Sequence, residues 1–292
     1  MSETYTLSGI GIWSGMLRYG DPSEVAELAA EMEGLGYSAL WIPDIGGDVW
    51  TPLANLLAAT RSVTVATGIL NIWMHAPEEA AAQHHALTTR HGHRFLCGIG
   101  VSHRPLIDRL NEPGTYQKPV DKVASFLDGL DAAQPPLSKG ERCIAALGPK
   151  MLELAATRTS GTHPYLVTPE HTATARAAVG PDALVATEQA VVLDTNPETA
   201  RATARTHLET YLGLPNYTNN WKRVGFTDDD LADGGSDRLV DALVAWGDED
   251  AIVARVQAHR DAGASHVCIQ ALESDPRAMP AAQWRGLASA VV

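Results

Sequence analysis

The sequence is poor in residues that staple, ligate or neutralise. Its 292 residues hold three cysteines, Cys97, Cys143 and Cys268, each inside a short apolar run and none near another. A scattered odd count makes neither a disulfide framework nor a thiolate metal cluster, so buried reduced thiols are expected. Lysine is scarce too. Lys plus Arg reach 22 against 35 Asp plus Glu, a formal charge of −13. So acidic a chain lacks the basic face that displaces counterions from phosphate backbones, which argues against a nucleic-acid partner. No apolar run approaches the roughly 18 residues of a membrane span, and the opening MSETYTLSG carries no signal-peptide core. A cytoplasmic protein without membrane contact is the expectation. Against these shortages, 45% of the residues are hydrophobic and 20% charged, a balance that fits a large folded core.

Periodicity then gives the architecture. Eight short apolar runs read as strands: Ser8–Trp13, Ala39–Pro43, Val63–Leu70, Phe95–Gly100, Cys143–Leu147, His163–Val167, Gln189–Leu193 and His266–Ala271. Amphipathic stretches such as Ser23–Leu35, Pro77–His91 and Pro197–Tyr211 separate them, several opened by Asp-Pro or Asn-Pro-Glu starts. Eight strand–helix units predict an α/β fold, a (β/α)8 TIM barrel, which takes about 250 residues. The surplus of roughly 40 falls in one block, residues 213–247, where Gly-Gly, a triple Asp, Tyr217 and Trp221 interrupt the pattern. It reads as an insertion between strands 7 and 8 of a single domain spanning residues 1–292. Within it Leu239, Leu243, Val244 and Trp246 follow helical spacing, an apolar stripe expected to serve a homodimer contact.

A barrel of this kind works at the carboxyl ends of its strands. Those ends offer Trp13, Asp44, Gly68-Ile69, Gly100-Val101-Ser102-His103 and Gly148-Pro149-Lys150-Met151. Six of eleven histidines fall between His75 and His103, yet His84, His85, His91 and His93 lie on or just after a helix, away from the strand ends, so no metal site is expected. The Gly148-Pro149-Lys150-Met151 turn follows a strand and opens a helix, where free N–H groups, the helix dipole and an ammonium suit an anion. Gly98 and Gly100 let a ring or backbone approach the fourth strand closely, and His103 beyond them is expected to project into the barrel mouth as a usable proton donor. Trp13 and Trp73 are candidates for the substrate wall. A G-x-S-x-G nucleophile frame is missing.

The strings RFLCGIGVSH, AALGPKMLELAA, VTVATGIL, ALWIPD and HPYLVTPEHT, in this order, resemble the luciferase-like flavin and deazaflavin oxidoreductases. More narrowly, they resemble the actinobacterial branch that uses coenzyme F420. The resemblance implies a flavin-like ring across the strand ends and a non-prolyl cis peptide at Gly68–Ile69 beneath it. It also implies contact of Gly100, Val101 and Ser102 with the ring edge, and of Gly148, Pro149, Lys150 and Met151 with a phosphate-bearing tail. Homodimers are common in that family. Two departures stand out: the glutamate often found at the end of the fourth strand is absent, and Ile45 replaces the histidine that often follows the second-strand aspartate. His103, helped by Asp44, is therefore the expected proton donor. Arg104, Lys118, Lys122 and Lys150 are the cations available to an anionic tail. The function expected is hydride transfer between F420 and a small organic substrate. An FMN-dependent monooxygenase and a non-catalytic flavin- or F420-binding protein are the alternatives.

Overall fold

Strands buried on both faces need no polar alternation, and the apolar runs here are of that kind. In the computed structural model, which describes residues 7–292, they form β1 (Gly9–Trp13), β2 (Ala39–Ile42), β3 (Thr64–Thr67), β4 (Leu70–Asn71), β5 (Phe95–Gly100), β6 (Arg142–Ile144), β7 (Gly161–Thr162), β8 (Leu184–Val192), β9 (Val244–Trp246) and β10 (His266–Ala271). All pairings are parallel. The order β10-β1-β2-β3-β5-β6-β7-β8 closes on itself through β8 and β10, with His266 opposite both Gly9 and Ala186. The result is a TIM barrel of eight strands. β4 continues the third strand and places Leu70 opposite Ile99, while β9 adds to the upper part of β8.

Proline sets many of the crossovers. Helices begin at Pro22, Pro77, Pro119, Pro149, Pro169, Pro197 and Pro215, where the missing N–H is no loss and φ is already helical. Asp21 caps the first of these by accepting from the N–H groups of Ser23 and Glu24 at 2.9 and 3.2 Å. The outward strand faces pack Leu40, Val65, Phe95 and Val267 against helix residues such as Leu28, Leu53 and Leu127. The lumen is filled by Trp41, Ala66, Leu96, Cys143, Ala186 and Cys268. It also holds polar groups: His163 stacks on Trp41 at 4.3 Å, and the Trp41 indole donates to His266 Nε2 at 3.1 Å. All three thiols are buried and free, and burial pushes Cys97 up to about 12. Among the described residues no helix is long and apolar enough to cross a membrane.

Several strand boundaries differ from the sequence reading. The third run splits at Gly68–Ile69 into β3 and β4. The fifth leaves the ladder after Ile144 on its way to the Gly148-Pro149 turn. The sixth strand is Gly161–Thr162, not His163–Val167, because Pro164 has no N–H to pair and Leu166 turns left-handed at φ 51°. The seventh begins at Leu184, five residues early, its first half disguised by Thr187 and Glu188. The expected apolar stripe is also redistributed. Helix Asp237–Leu243 ends where β9 begins, and Leu239, Leu243 and Val244 are fully buried in the chain's own core. The Trp246 indole donates to Asp241 at 2.7 Å, with Arg201 over its ring, so this stripe supplies no dimer face.

Candidate active site at the barrel mouth

The strand ends open into one cleft of about 570 Å³, in the range of small-ligand sites. Its floor is the Gly68–Ile69 peptide, which is cis as the resemblance implied. Glycine is required around it. A Cβ on Gly68 would strike the Trp13 indole, and one on Gly100 would strike the Ile69 side chain. Trp13 Nε1 donates to Gly68 O at 3.1 Å and pins the first strand to that floor.

Past Gly100 the chain turns out of the barrel. Ser102 takes φ 55°, and His103 sits at the N-terminus of helix Arg104–Leu110, half-buried at the cleft. The Asn216 amide lies 3.5 Å from its Nδ1. Burial holds the His103 imidazole below its ordinary value, with Asn216 pulling the other way, so at neutral pH the ring is neutral. In its resting state the ring can accept a proton, and once protonated it can donate one.

Asp44 is an anchor. Its carboxylate accepts from Arg18 at 3.1 Å, from His75 at 2.9 Å and from the Asn71 N–H at 3.1 Å. Burial alone would raise it, but the bonds from His75 and Asn71 and the charges of His75 and Arg18 win, and Asp44 stays ionised. His75, pushed down by burial, is raised on balance by Asp44. A saturated carboxylate has no proton to give, so the expected partnership with His103 is not present. His75 lies 31 residues along the chain from Asp44, which hid the pair from the sequence.

At the far end, helix Pro149–Arg158 starts at Gly148 without a side-chain cap. Pro149 has no N–H and Met151 donates to Gly148 O at 3.1 Å, so the Lys150 N–H is the first-turn donor left for an anion. Gly148 and Met151 line the cleft; Pro149 and Lys150 are exposed and do not. Successive helical positions turn by about 100°, and only Met151 faces inward. The cation there is Arg223, from helix Pro215–Arg223 of the insertion, within about 4 Å of where a Cβ on Gly148 would sit. No ion pair engages Arg223 among the described residues, and Arg109 also lines the cleft. Trp73 is likewise off the substrate wall: its indole donates to Val101 O at 2.8 Å, with the Lys122 ammonium 4.9 Å from its ring.

Tyrosines take the wall instead. Tyr165, Tyr211 and Tyr217 face the cleft, their hydroxyls pushed upward by burial, Tyr211 to about 12. Behind them Glu188 is wholly buried in β8, accepts from the Leu166 N–H at 2.9 Å and is raised by burial to about 8, a neutral acid at pH 7. Tyr217 and Arg223 stand in the block whose unusual composition was visible in the sequence; nothing local marked their direction. Among the described residues no cluster of His, Cys, Asp or Glu could hold a metal ion.

The model of the luciferase-like monooxygenase family matches residues 4–134. No curated protein matches the chain in sequence. Solved structures match its fold along almost its whole length. An F420-dependent secondary alcohol dehydrogenase in complex with an F420-acetone adduct has a TM-score of 0.72 at 14% identity, covering 97% of this chain and 98% of that one. The coenzyme F420-dependent tetrahydromethanopterin reductase of Methanopyrus kandleri gives 0.74 at 16%, with the same coverage. The oxygenating constituent of 3,6-diketocamphane monooxygenase from Pseudomonas putida, in complex with FMN, gives 0.65 at 14%, with 96% of each chain covered. At such identities the likeness is one of fold. Over residues 4–134 the chain matches the luciferase-like monooxygenase family model, and almost throughout its length it shares the TIM-barrel fold of these solved structures.

Proposed function

We propose that the protein is an oxidoreductase that moves a hydride between coenzyme F420 and a small organic substrate. The observation that carries this reading is the pairing, in one cleft, of a glycine-cleared floor at Gly68–Ile69 with an uncapped helix N-terminus overhung by the unpaired Arg223. A flat ring fits the first, and a phosphate or carboxylate tail fits the second. In an acidic chain such cations must be concentrated locally, and Arg109 adds to them.

The residues present fit the cofactor. Gly68, Ile69, Gly100, Val101 and Ser102 would hold the ring, and Gly148, Met151 and Arg223 the tail. The bound cofactor supplies the hydride donor or acceptor. The protein does the rest: Trp13 braces the floor, the aromatic side chains exclude water, and His103 handles the proton. Its neutral imidazole accepts a proton from an alcohol and, in reverse, the protonated ring returns it to a ketone. The Asn216 amide serves either tautomer by rotation, N–H toward bare Nδ1 or C=O toward a protonated one.

An FMN-dependent monooxygenase is the second reading, favoured by the family whose model matches residues 4–134. Fluorescence titration of the purified protein with F420 and with FMN separates them. F420 should bind more tightly, with an affinity that falls as salt rises. Equal or tighter FMN binding overturns the F420 assignment.

A further inference from the structure

A wall of rings crosses the cleft from β1 to the end of β5. Trp13 and Tyr165 are 5.3 Å apart between ring centroids, Tyr165 and Tyr211 5.5 Å, Tyr211 and Tyr217 4.9 Å, and Tyr217 and His103 5.5 Å. Most polar atoms on this wall are already committed. The Trp13 N–H goes to Gly68 O, the Tyr211 hydroxyl to Tyr165, and the Tyr165 hydroxyl to Gln270 Oε1 at 2.8 Å. The Tyr217 hydroxyl has no hydrogen-bond partner among the described residues and is not among their sealed polar atoms, so it opens on the cleft. His103 keeps Nε2, the ring nitrogen away from Asn216. The wall carries no uncompensated charge. Asp44 is tied to Arg18 and His75, and Glu188 lies sealed behind the tyrosines.

We propose that Tyr217, carried by the insertion helix Pro215–Arg223, is the residue that holds the substrate's oxygen, and that the substrate is an uncharged alcohol or ketone packed against the ring wall. This deepens the oxidoreductase reading and rests on it. The Tyr217 hydroxyl donates to the substrate oxygen and fixes it beside His103 Nε2. In oxidation the carbinol C–H bond breaks and its hydride passes to the oxidised cofactor. The O–H proton passes to His103, and the C–O bond becomes C=O. Reduction reverses each transfer. An ionic substrate packed on the ring wall would leave water for a surface with no counter-charge, which is costly; the cations of the cleft, Arg109 and Arg223, are not part of that wall. A neutral one loses little and gains ring contact.

The test uses the whole protein, bare and loaded with F420 or FMN, and probes of one shape: cyclohexanol, cyclohexanone, cyclohexanecarboxylate and cyclohexylammonium. Calorimetry or ligand-observed NMR reads the binding. In the F420-loaded protein, with Arg223 engaged by the tail, the neutral pair should bind, and the ionic pair at least about tenfold more weakly. Tyr217→Phe keeps the ring and the wall; it should weaken cyclohexanone roughly three- to tenfold, the loss of one hydrogen bond. Methylenecyclohexane, which has no oxygen, should be unaffected by that change. Ionic probes that bind as well as cyclohexanone overturn the substrate class, and an unchanged cyclohexanone affinity in Tyr217→Phe overturns the role of the hydroxyl. If neither cofactor binds while the neutral probes do, and Tyr217→Phe weakens them, the cofactor reading and the hydride step fail, and only the contact of Tyr217 with the bound oxygen stands. If a cofactor binds and the neutral probes do not, the assignment fails alone.

Discussion

Asp44→Asn distinguishes an anchor from a catalytic group. In the native protein the Asp44 carboxylate is fully buried against an Arg18 side chain that is 1% exposed. Removing the negative charge leaves that guanidinium buried without a counter-ion. Breaking one partner out of a buried pair costs about 3–5 kcal/mol. Arg18 retains three carbonyl acceptors, Pro43 O at 2.6 Å, Gly46 O at 2.8 Å and Gly47 O at 3.1 Å, which cushion the loss. The expected destabilisation is therefore at the low end, about 3 kcal/mol, a fall in Tm of roughly 5–10 °C for a chain of this size.

The pH profile sharpens the same test. His75 has a folded pKa raised above 6.5, so its stabilisation is complete below that value and fades as pH rises through the folded pKa. Asp44 is lowered from 3.8, so its stabilisation is present above that value and is lost as pH falls through the folded pKa. Both contributions coexist between those two ordinary values. Wild-type protein should gain stability on moving from about pH 8 to about pH 6, and Asp44→Asn should lose most of that gain. Denaturant unfolding at several pH values measures both effects. A variant within about 0.5 kcal/mol of wild type, with the pH slope intact and turnover reduced, would refute the anchor and return Asp44 to the chemistry.

Two further substitutions probe the ends of the cleft. Arg223→Gln should weaken F420 binding about tenfold or more, since a hydrogen bond to a charged group contributes roughly 1.5–3 kcal/mol, and should flatten the salt dependence; an unchanged titration removes Arg223 from the tail site. His103→Ala should lower turnover by roughly 10²–10⁴ while cofactor affinity stays within a few-fold. Because burial lowers its pKa, alcohol oxidation by wild type should hold below pH 6.5 and then fall as His103 becomes protonated. A variant that keeps the wild-type rate removes His103 from proton transfer.

The barrel was legible because its strands are buried on both faces and its helices start at proline, two signals that survive in a single sequence. Boundaries were less so. Pro164 and the left-handed Leu166 shortened the sixth strand against its apolar run, and Thr187 and Glu188 concealed the first half of the seventh. At the site, the glycines at 68 and 100 could be placed because close approach demands them whatever surrounds them. Lys150 could not, since charge at a helix start was visible in sequence but its outward rotation was not. Asp44 and His75 meet from the ends of neighbouring strands 31 residues apart, and no local pattern encodes such a contact.

These placements have a consequence for how the site divides its labour. The strand ends contribute shape: glycines, the Gly68–Ile69 peptide and the Trp13 brace. Of the ionisable groups beside that floor, Asp44 is neutralised in place and His103 rests uncharged. The residues proposed to contact a substrate's oxygen and to meet an anionic tail both come from one nine-residue helix, Pro215–Arg223, which carries Asn216, Tyr217 and Arg223. Tyr217 and Trp221 bury one face of that helix, and the Trp221 indole donates to Leu166 O at 3.0 Å, tying it to the loop after β7. A rigid barrel holding a ring and a docked helix choosing what reacts with it can vary separately. On that proposal, changes within the insertion should alter substrate preference while the floor at Gly68–Ile69, braced by Trp13, stays as it is.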